Sequence, residues 1–169
     1  MKKITDIWIF CQPMQLLLHY RLPFFYIIRC NTIYKESFMA DKTQERMDAI
    51  IEIDKGKENL GMVSLHQTRE LLMDAGAVLL DVRPPAKVNG ENAQEAGIAN
   101  AYYVPYTEFA GYLDELPAEH SNPIVVACVK GWFANRVMGY LEMMGYENVY
   151  VLDTNIEELI EVHHAHADK

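Results

Sequence analysis

Residues 123–132 read Pro-Ile-Val-Val-Ala-Cys-Val-Lys-Gly-Trp, and this stretch decides the fold. Its first five residues form a continuous apolar run, which is typical of a parallel strand buried on both faces. Cys128 ends the run, and a short loop containing glycine leads into a helical pattern over 133–144. The sequence therefore predicts a strand that delivers a thiol to the N-terminus of a helix.

The loop after Cys128 has the features of an anion-binding turn. Backbone N–H groups at a helix N-terminus have no partner within the helix, and the helix dipole and Lys130 add positive charge there. These features favour the thiolate, which is the nucleophilic form. The alternative is a buried core cysteine at a strand end. The predicted catalytic residue is Cys128, and the predicted substrate-binding residues follow it: Val129, Lys130, Gly131, Trp132, Phe133 and Ala134.

Helices and strands are predicted to alternate along the rest of the chain. Ser64 and Gln67 form a capping box. The predicted helices cover 40–53, 68–75, 106–116, 133–144 and 155–162, and the predicted strands cover 77–82, 101–104, 123–127 and 149–152. This order predicts an α/β fold with a mainly parallel central sheet and helices on both faces. The ligand site is expected at the carboxyl ends of the strands, where Cys128 lies.

Four segments carry a resemblance to a known family. They are Leu-Leu-Asp-Val-Arg at 79–83, Gly-Ile-Ala-Asn-Ala-Tyr-Tyr-Val-Pro at 97–105, Pro-Ile-Val-Val-Ala-Cys at 123–128, and Gly-Tyr-Glu-Asn-Val-Tyr-Val-Leu at 145–152. In this order and spacing the sequence resembles a single-domain rhodanese over about 62–160. The resemblance implies a sulfurtransferase whose Cys128 carries a sulfane sulfur as a persulfide, and it requires no metal or organic cofactor.

The resemblance also implies the partners of the reaction. The donor would be thiosulfate or a persulfide such as glutathione persulfide. The acceptor would be cyanide or a thiol, including that of a sulfur-carrier protein or a thioredoxin-like protein. A second hypothesis is a catalytically weak rhodanese-like module for protein binding or sulfur relay. A cysteine phosphatase would need arginine at 134, which is Ala134.

The sequence departs from the family pattern in the loop. Phe133 and Ala134 stand where members often have arginine and serine. Loss of the guanidinium removes bidentate recognition of an oxyanion, so thiosulfate is expected to be a weak donor. Trp132 and Phe133 would instead form an apolar rim for a larger partner, or would pack the first helical turn.

Other candidate residues are given structural roles. Arg83 is predicted to pair with an acidic neighbour, and Asp81 to hold the loop after its strand. His163, His164 and His166 could in principle ligate a metal, but a frayed, solvated chain end is predicted instead. The predicted inner face of the helix over 133–144 consists of Val137, Tyr140, Leu141 and Met144.

Composition agrees with one globular domain whose cysteines are free thiols. The chain has 169 residues, of which 50% are hydrophobic and 23% charged, and this length suits a single core. Three scattered cysteines do not form a disulfide framework, so a cytoplasmic location is predicted. The net charge of -9 excludes a nucleic-acid surface.

The first 38 residues are predicted to lie outside the domain. They are aromatic and apolar, but polar residues and prolines interrupt every window of about 20 residues, so a membrane span is not expected. A translation start at Met39 and a targeting segment are the remaining interpretations. The predicted division is an extension over 1–38, a helix and linker over 39–61, a rhodanese-like domain over 62–162, and a flexible tail over 163–169.

Overall fold

The computed structural model describes residues 41–167. The interpretations of 1–38, the start of the first helix at Ala40, and the last two residues therefore lie outside the described residues. Residues 46–167 belong to one compact unit. Across 41–167, no helix is long and apolar enough to cross a membrane.

The described chain follows the predicted order of helices and strands, with one addition: a two-residue strand at Met62–Val63, which pairs with the last strand of the chain and is too short for the sequence pattern to predict. Helix α1 covers 41–56, and three further helices follow: α2 at Leu65–Asp74, α3 at Trp132–Met144 and α4 at Ile156–Ala167. The strands are β1 at Met62–Val63, β2 at Val78–Asp81, β3 at Ala101–Tyr103, β4 at Ile124–Ala127 and β5 at Val149–Leu152. Short 3₁₀ helices cover Glu58–Gly61, Pro85–Lys87 and Tyr106–Glu115. The capping box of Ser64 and Gln67 is confirmed at the start of α2.

The five strands form one parallel sheet in the order β1-β5-β4-β2-β3. Alternate residues of each central strand enter two apolar clusters on opposite faces. Leu80 and Val126 pack with side chains of α3, whereas Leu79 and Val125 pack with side chains of α4. This arrangement confirms the predicted α/β fold with a sheet covered on both faces.

The segment after β3 is a 3₁₀ helix over Tyr106–Glu115. The sequence predicts a helix there but not its type. In a 3₁₀ helix the residues at i and i+3 lie above one another. Tyr106, Phe109 and Tyr112 have this spacing, and all three contact the apolar cluster that includes α3. The period of three therefore brings three aromatic side chains to one face.

Helix α3 faces the core with a different set of residues from the predicted one. Val137 and Leu141 are fully buried, as predicted, but Tyr140 and Met144 are 45% and 41% exposed. Ala134 and Met138 are buried in their place. The positions 134, 137, 138 and 141 form a single stripe at helical spacing, and that stripe packs on β4 and β5.

Helix α4 continues through Ala167 and therefore includes the residues predicted to form a frayed end. His166 Nδ1 lies 2.8 Å from the Val162 carbonyl oxygen, one helical turn earlier. His164 Nε2 lies 2.5 Å from Glu91 Oε1. The helix therefore extends beyond the predicted boundary at Val162.

The burial pattern of α3 predicts how two truncations differ. Leu141→Ala should lower the free energy of unfolding by about 2 to 5 kcal/mol, because it opens a cavity in the core. Met144→Ala should cost about 0.5 kcal/mol or less, because that side chain is exposed. Urea denaturation of the two variants measures the difference. Equal losses would contradict the orientation of α3.

Candidate active site

The thiol-bearing residue is held between two neighbouring segments at the carboxyl edge of the sheet. Cys128 follows the last residue of β4 directly. The Ala127 carbonyl accepts a hydrogen bond from Val82 N at 3.0 Å, and the Cys128 carbonyl accepts one from Ile156 N at 3.2 Å. The end of β2 and the start of α4 therefore fix the backbone at this position.

Gly131 turns the chain from the loop into α3. It is the N-cap residue and has the left-handed conformation, with φ of 75°. Few residues other than glycine adopt this conformation without strain. The Gly131 carbonyl accepts hydrogen bonds from both the backbone N and the Nδ2 of Asn135, at 2.8 and 2.9 Å. Asn135 thus stabilises the first turn of the helix, a role that the sequence analysis did not assign.

Six consecutive backbone N–H groups follow the cysteine without a protein acceptor. Between 41 and 167, no acceptor pairs with the N–H groups of 129–134, and the first N–H of α3 that does pair belongs to Asn135. Donors of this kind near a helix N-terminus bind anions. The structure therefore contains the run of unpaired donors that the sequence predicts.

The side chains of the predicted site occupy different environments. Cys128 is 1% exposed and belongs to the apolar cluster on the α3 side of the sheet. Val129 and Phe133 are half-buried and Ala134 is buried, whereas Lys130 is exposed and Trp132 is 75% exposed. The buried cysteine that the alternative interpretation expects therefore coexists with the unpaired donors.

Arg83 forms a buried ion pair with Asp81. Both side chains have no exposed surface, and Arg83 Nη2 lies 2.7 Å from Asp81 Oδ2 while Nε lies 3.0 Å from Oδ1. Asp81 Oδ2 also accepts a hydrogen bond from Ala93 N at 3.2 Å, and Arg83 Nη2 donates one to the Glu91 carbonyl at 3.0 Å. The predicted pairing of Arg83 with an acidic neighbour is confirmed, and the pair holds the loop after β2.

Two further residues join this cluster. Glu157 Oε1 lies 3.4 Å from Arg83 Nη1, so this carboxylate belongs to the cluster. The Tyr103 hydroxyl donates a hydrogen bond to the Arg83 carbonyl at 3.1 Å. Burial raises the pKa of Tyr103, and the negative charge of Asp81 adds to the effect. Tyr103 and Glu157 lie at carboxyl ends of strands or just after them, which is the signal that could have identified them.

A surface depression lies beside the first turn of α3. Its lining consists of Tyr106, Trp132, Phe133, Asn135 and Arg136. The Tyr106 and Phe133 rings pack with their centroids 5.0 Å apart. Tyr106 follows β3 by three residues, so the sequence order places it at the same edge as Cys128. The sequence analysis assigned no role to Tyr106 or Arg136.

Comparison with known proteins agrees with this arrangement. Residues 64–161 match the family model described as Rhodanese-like domain. Thiosulfate sulfurtransferase GlpE of Tolumonas auensis is 27% identical over 95 residues, covering 56% of this chain and 83% of the relative. The protein of the same name from Pseudoalteromonas translucida is 30% identical over 92 residues, covering 54% of this chain and 80% of the relative.

Two solved structures match part of the chain. The Rhodanese-like domain from the Anabaena sp Alr3790 protein has a TM-score of 0.48 and 17% identity, covering 60% of this chain and 74% of that one. Human single-domain sulfurtransferase TSTD1 has a TM-score of 0.44 and 22% identity, covering 60% of this chain and 96% of that one.

The buried ion pair predicts a large stability effect. Asp81→Asn leaves the Arg83 guanidinium buried with its closest negative charge removed, and should lower the free energy of unfolding by about 3 to 5 kcal/mol. Glu52→Gln is the control, because Glu52 forms an exposed ion pair with Lys55 and should cost about 1 kcal/mol or less. Denaturant titration measures both changes. A loss for Asp81→Asn no larger than that for the control would contradict the proposed importance of the pair.

Proposed function

Because the chain belongs to the rhodanese-like domain family, we propose that it is a sulfurtransferase in which Cys128 carries a sulfane sulfur as a persulfide. The observation that carries this proposal is the run of six backbone N–H groups over 129–134 with no acceptor within 41–167. These donors follow the thiol directly in the chain and surround the N-terminus of α3. An anionic sulfur on Cys128 would supply the missing acceptor.

The first half-reaction loads the cysteine. The Cys128 thiolate attacks the outer sulfur of the donor, a new S–S bond forms, and the bond between that sulfur and the rest of the donor breaks. With thiosulfate as donor, the electron pair leaves with sulfite, and the enzyme retains Cys-S-S⁻. The attack needs no external oxidant, because the transferred sulfur is already in the sulfane state.

The second half-reaction returns the free enzyme. Cyanide or an acceptor thiolate attacks the terminal sulfur of the persulfide, and the electron pair of the S–S bond returns to Cys128. Thiocyanate or a new persulfide leaves. Two half-reactions with a covalent intermediate predict ping-pong kinetics.

The loop amides are proposed to stabilise the negative charge in both states. The outer sulfur of a persulfide lies about 2 Å farther from the backbone than the thiolate sulfur, so it extends out of the buried position of Cys128. Gly131 has a left-handed conformation, and successive N–H groups in a turn of this kind form an anion-binding concavity. Lys130, which is exposed, adds a positive charge nearby.

The proposed partners follow from the surface around the loop. Donors are thiosulfate or glutathione persulfide, and the acceptor is a small thiol, a sulfur-carrier protein or a thioredoxin-like protein. Trp132, the first residue of α3, has 75% of its surface exposed, which favours a partner large enough to cover an aromatic ring. A cytoplasmic location stays a prediction.

A second candidate function is a rhodanese-like module that binds a protein without turnover. Two observations favour it: Cys128 is 1% exposed, and Phe133 and Ala134 occupy the positions where the family often has arginine and serine. The unpaired amides favour the enzyme, because a binding module has no need for anion donors beside a cysteine. Persulfide formation distinguishes the two.

The central test replaces the cysteine. Cys128→Ser should show no mass increase of one sulfur after incubation with thiosulfate or glutathione persulfide, and no thiocyanate production. The control variant Cys11→Ser/Cys30→Ser should still gain the mass of one sulfur and still produce thiocyanate, because Cys128 is then the only thiol. Electrospray mass spectrometry of the intact protein and a thiocyanate assay measure these outcomes. Sulfur loading of the Cys128→Ser protein at the level of the control would rule out the proposed mechanism.

The loop sequence predicts how donor choice can be changed. Phe133→Arg should raise kcat/KM for thiosulfate by about tenfold, because a charged hydrogen bond contributes roughly 1.5 to 3 kcal/mol and part of it is expected in the transition state. Phe133→Leu is the control, since it removes the ring without adding charge. Steady-state kinetics with thiosulfate and glutathione persulfide give the ratio of donors. An unchanged ratio for Phe133→Arg would show that position 133 does not determine donor choice.

A further inference from the structure

A cavity of about 600 Å³ is lined by residues of α2, of α4 and of the segment before β3. It lies on the face of the sheet opposite to the candidate active site, because Leu72 and Leu159 of its lining pack in one apolar cluster and Cys128 belongs to the other. Helix α4 begins at Ile156, beside Cys128, and reaches His163 of the lining about 10 Å farther along its axis. This α2–α4 cavity is therefore separate from the cysteine loop.

The walls of the α2–α4 cavity are aliphatic. Ile98 and Leu159 are buried, whereas Met73 is 74% exposed, so the cavity extends from the core to the surface. Ile98 N donates a hydrogen bond to the Ala93 carbonyl, and the Ile98 carbonyl accepts one from Ala101 N, which fixes this wall. A preformed apolar cavity with few polar groups is typical of a site for a small organic molecule. The apolar lining residues are Leu72, Met73, Ile98, Ala99 and Leu159.

The polar side chains of this cavity are all basic. They are Arg69, His163 and His166. The chain has 24 acidic residues against 15 lysines and arginines, yet no carboxylate of the described residues lines the cavity. His166 Nδ1 is already within hydrogen-bonding distance of the Val162 carbonyl. The permanent charge of the cavity is therefore that of Arg69.

Arg69 has no acidic partner on its own helix. The residues three and four positions away, which a helical side chain can reach, are Leu65, His66, Leu72 and Met73. Among residues 41–167, no ion pair includes the Arg69 guanidinium. Its side chain is half-buried, so a negative charge beside it would be stabilised more than at an open surface. An anionic ligand fits this position.

We propose that the α2–α4 cavity binds a free alkyl carboxylate. The carboxylate pairs with the planar guanidinium of Arg69 through two parallel hydrogen bonds. The alkyl chain lies against Ile98 and Leu159 and is removed from water. One cation matches the single negative charge of this ligand. A nucleotide or a sugar phosphate would instead place hydroxyl groups without partners against the aliphatic walls.

Octanoate is the probe, and isothermal titration calorimetry on the full chain measures its binding. One equivalent should bind. Butanoate should bind at least about tenfold more weakly, because less of its chain is buried. 1-Octanol should bind about tenfold more weakly, because it has the longer chain without the charge.

Three variants separate the contributions of charge and shape. Arg69→Met should weaken octanoate binding about tenfold and leave 1-octanol binding unchanged, because it removes the charge and retains an apolar stem. Arg136→Met is the matched control, since Arg136 is an exposed arginine on α3, at the other face of the sheet, and octanoate affinity should not change. Ala99→Phe should prevent binding of both probes, because Ala99 is exposed and the added ring fills the cavity. The melting temperature without ligand verifies that each variant is folded.

Nuclear Overhauser effects between the octanoate chain and the methyl groups of Ile98 and Leu159 should locate the bound probe. Equal octanoate affinity of the Arg69→Met and Arg136→Met proteins would overturn the proposal. Weaker binding only in Arg136→Met would overturn it as well, because it would locate the probe beside α3. Absence of binding at about 10 mM octanoate would have the same consequence. None of these results affects the sulfurtransferase proposal, because the measurements do not involve Cys128.

Discussion

A guanidinium without exposed surface determines how the carboxyl edge of the sheet is built. Arg83 has no access to water, and a buried charge of this kind is strongly unfavourable unless it is paired and hydrogen-bonded. Asp81 supplies the opposite charge, the Glu91 carbonyl accepts one N–H, and Glu157 approaches from helix α4. The end of β2, the loop eight residues later and the distant helix α4 must therefore meet at one point, and the loop between the first two has little freedom. The end of β2 serves as the fixed reference for this edge.

The ion pair of Asp81 and Arg83 also positions the active-site loop, because the two lie on neighbouring strands of the sheet. Asp81 and Ala127 are register partners on neighbouring strands, so the ion pair lies beside the residue that precedes Cys128. Helix α4 provides Glu157, and the N–H of its first residue, Ile156, donates a hydrogen bond to the Cys128 carbonyl. The loop can leave six N–H groups unpaired because its two ends are held by other contacts. Preorganised donors of this kind need no rearrangement when charge appears on the sulfur.

The parts of this structure that local patterns specify could be predicted, and the parts that depend on neighbouring strands could not. The apolar run before Cys128 and the capping box at Ser64 are encoded within a few residues, and both are present. The contact of Glu157 with Arg83 spans 74 residues and requires the strand order, which the sequence analysis did not assign. The predicted inner face of α3 was partly wrong for the same reason. Several apolar stripes fit its sequence, and packing on β4 and β5 selects one of them.

The far end of α3 is secured by residues that precede the family match. Arg46 Nε donates a hydrogen bond to the Glu142 carbonyl at 2.8 Å, and Lys57 Nζ lies 2.7 Å from Glu142 Oε1 in a pair whose side chains are each 9% exposed. A recombinant fragment cut at the family boundary, residue 64, would leave a buried carboxylate without its cation and the last turn of α3 without a donor. The contacts that hold the end of α3 therefore extend beyond the family match. Protein engineering that grafts or shortens this domain has to retain α1, although α1 contributes no residue to the candidate site.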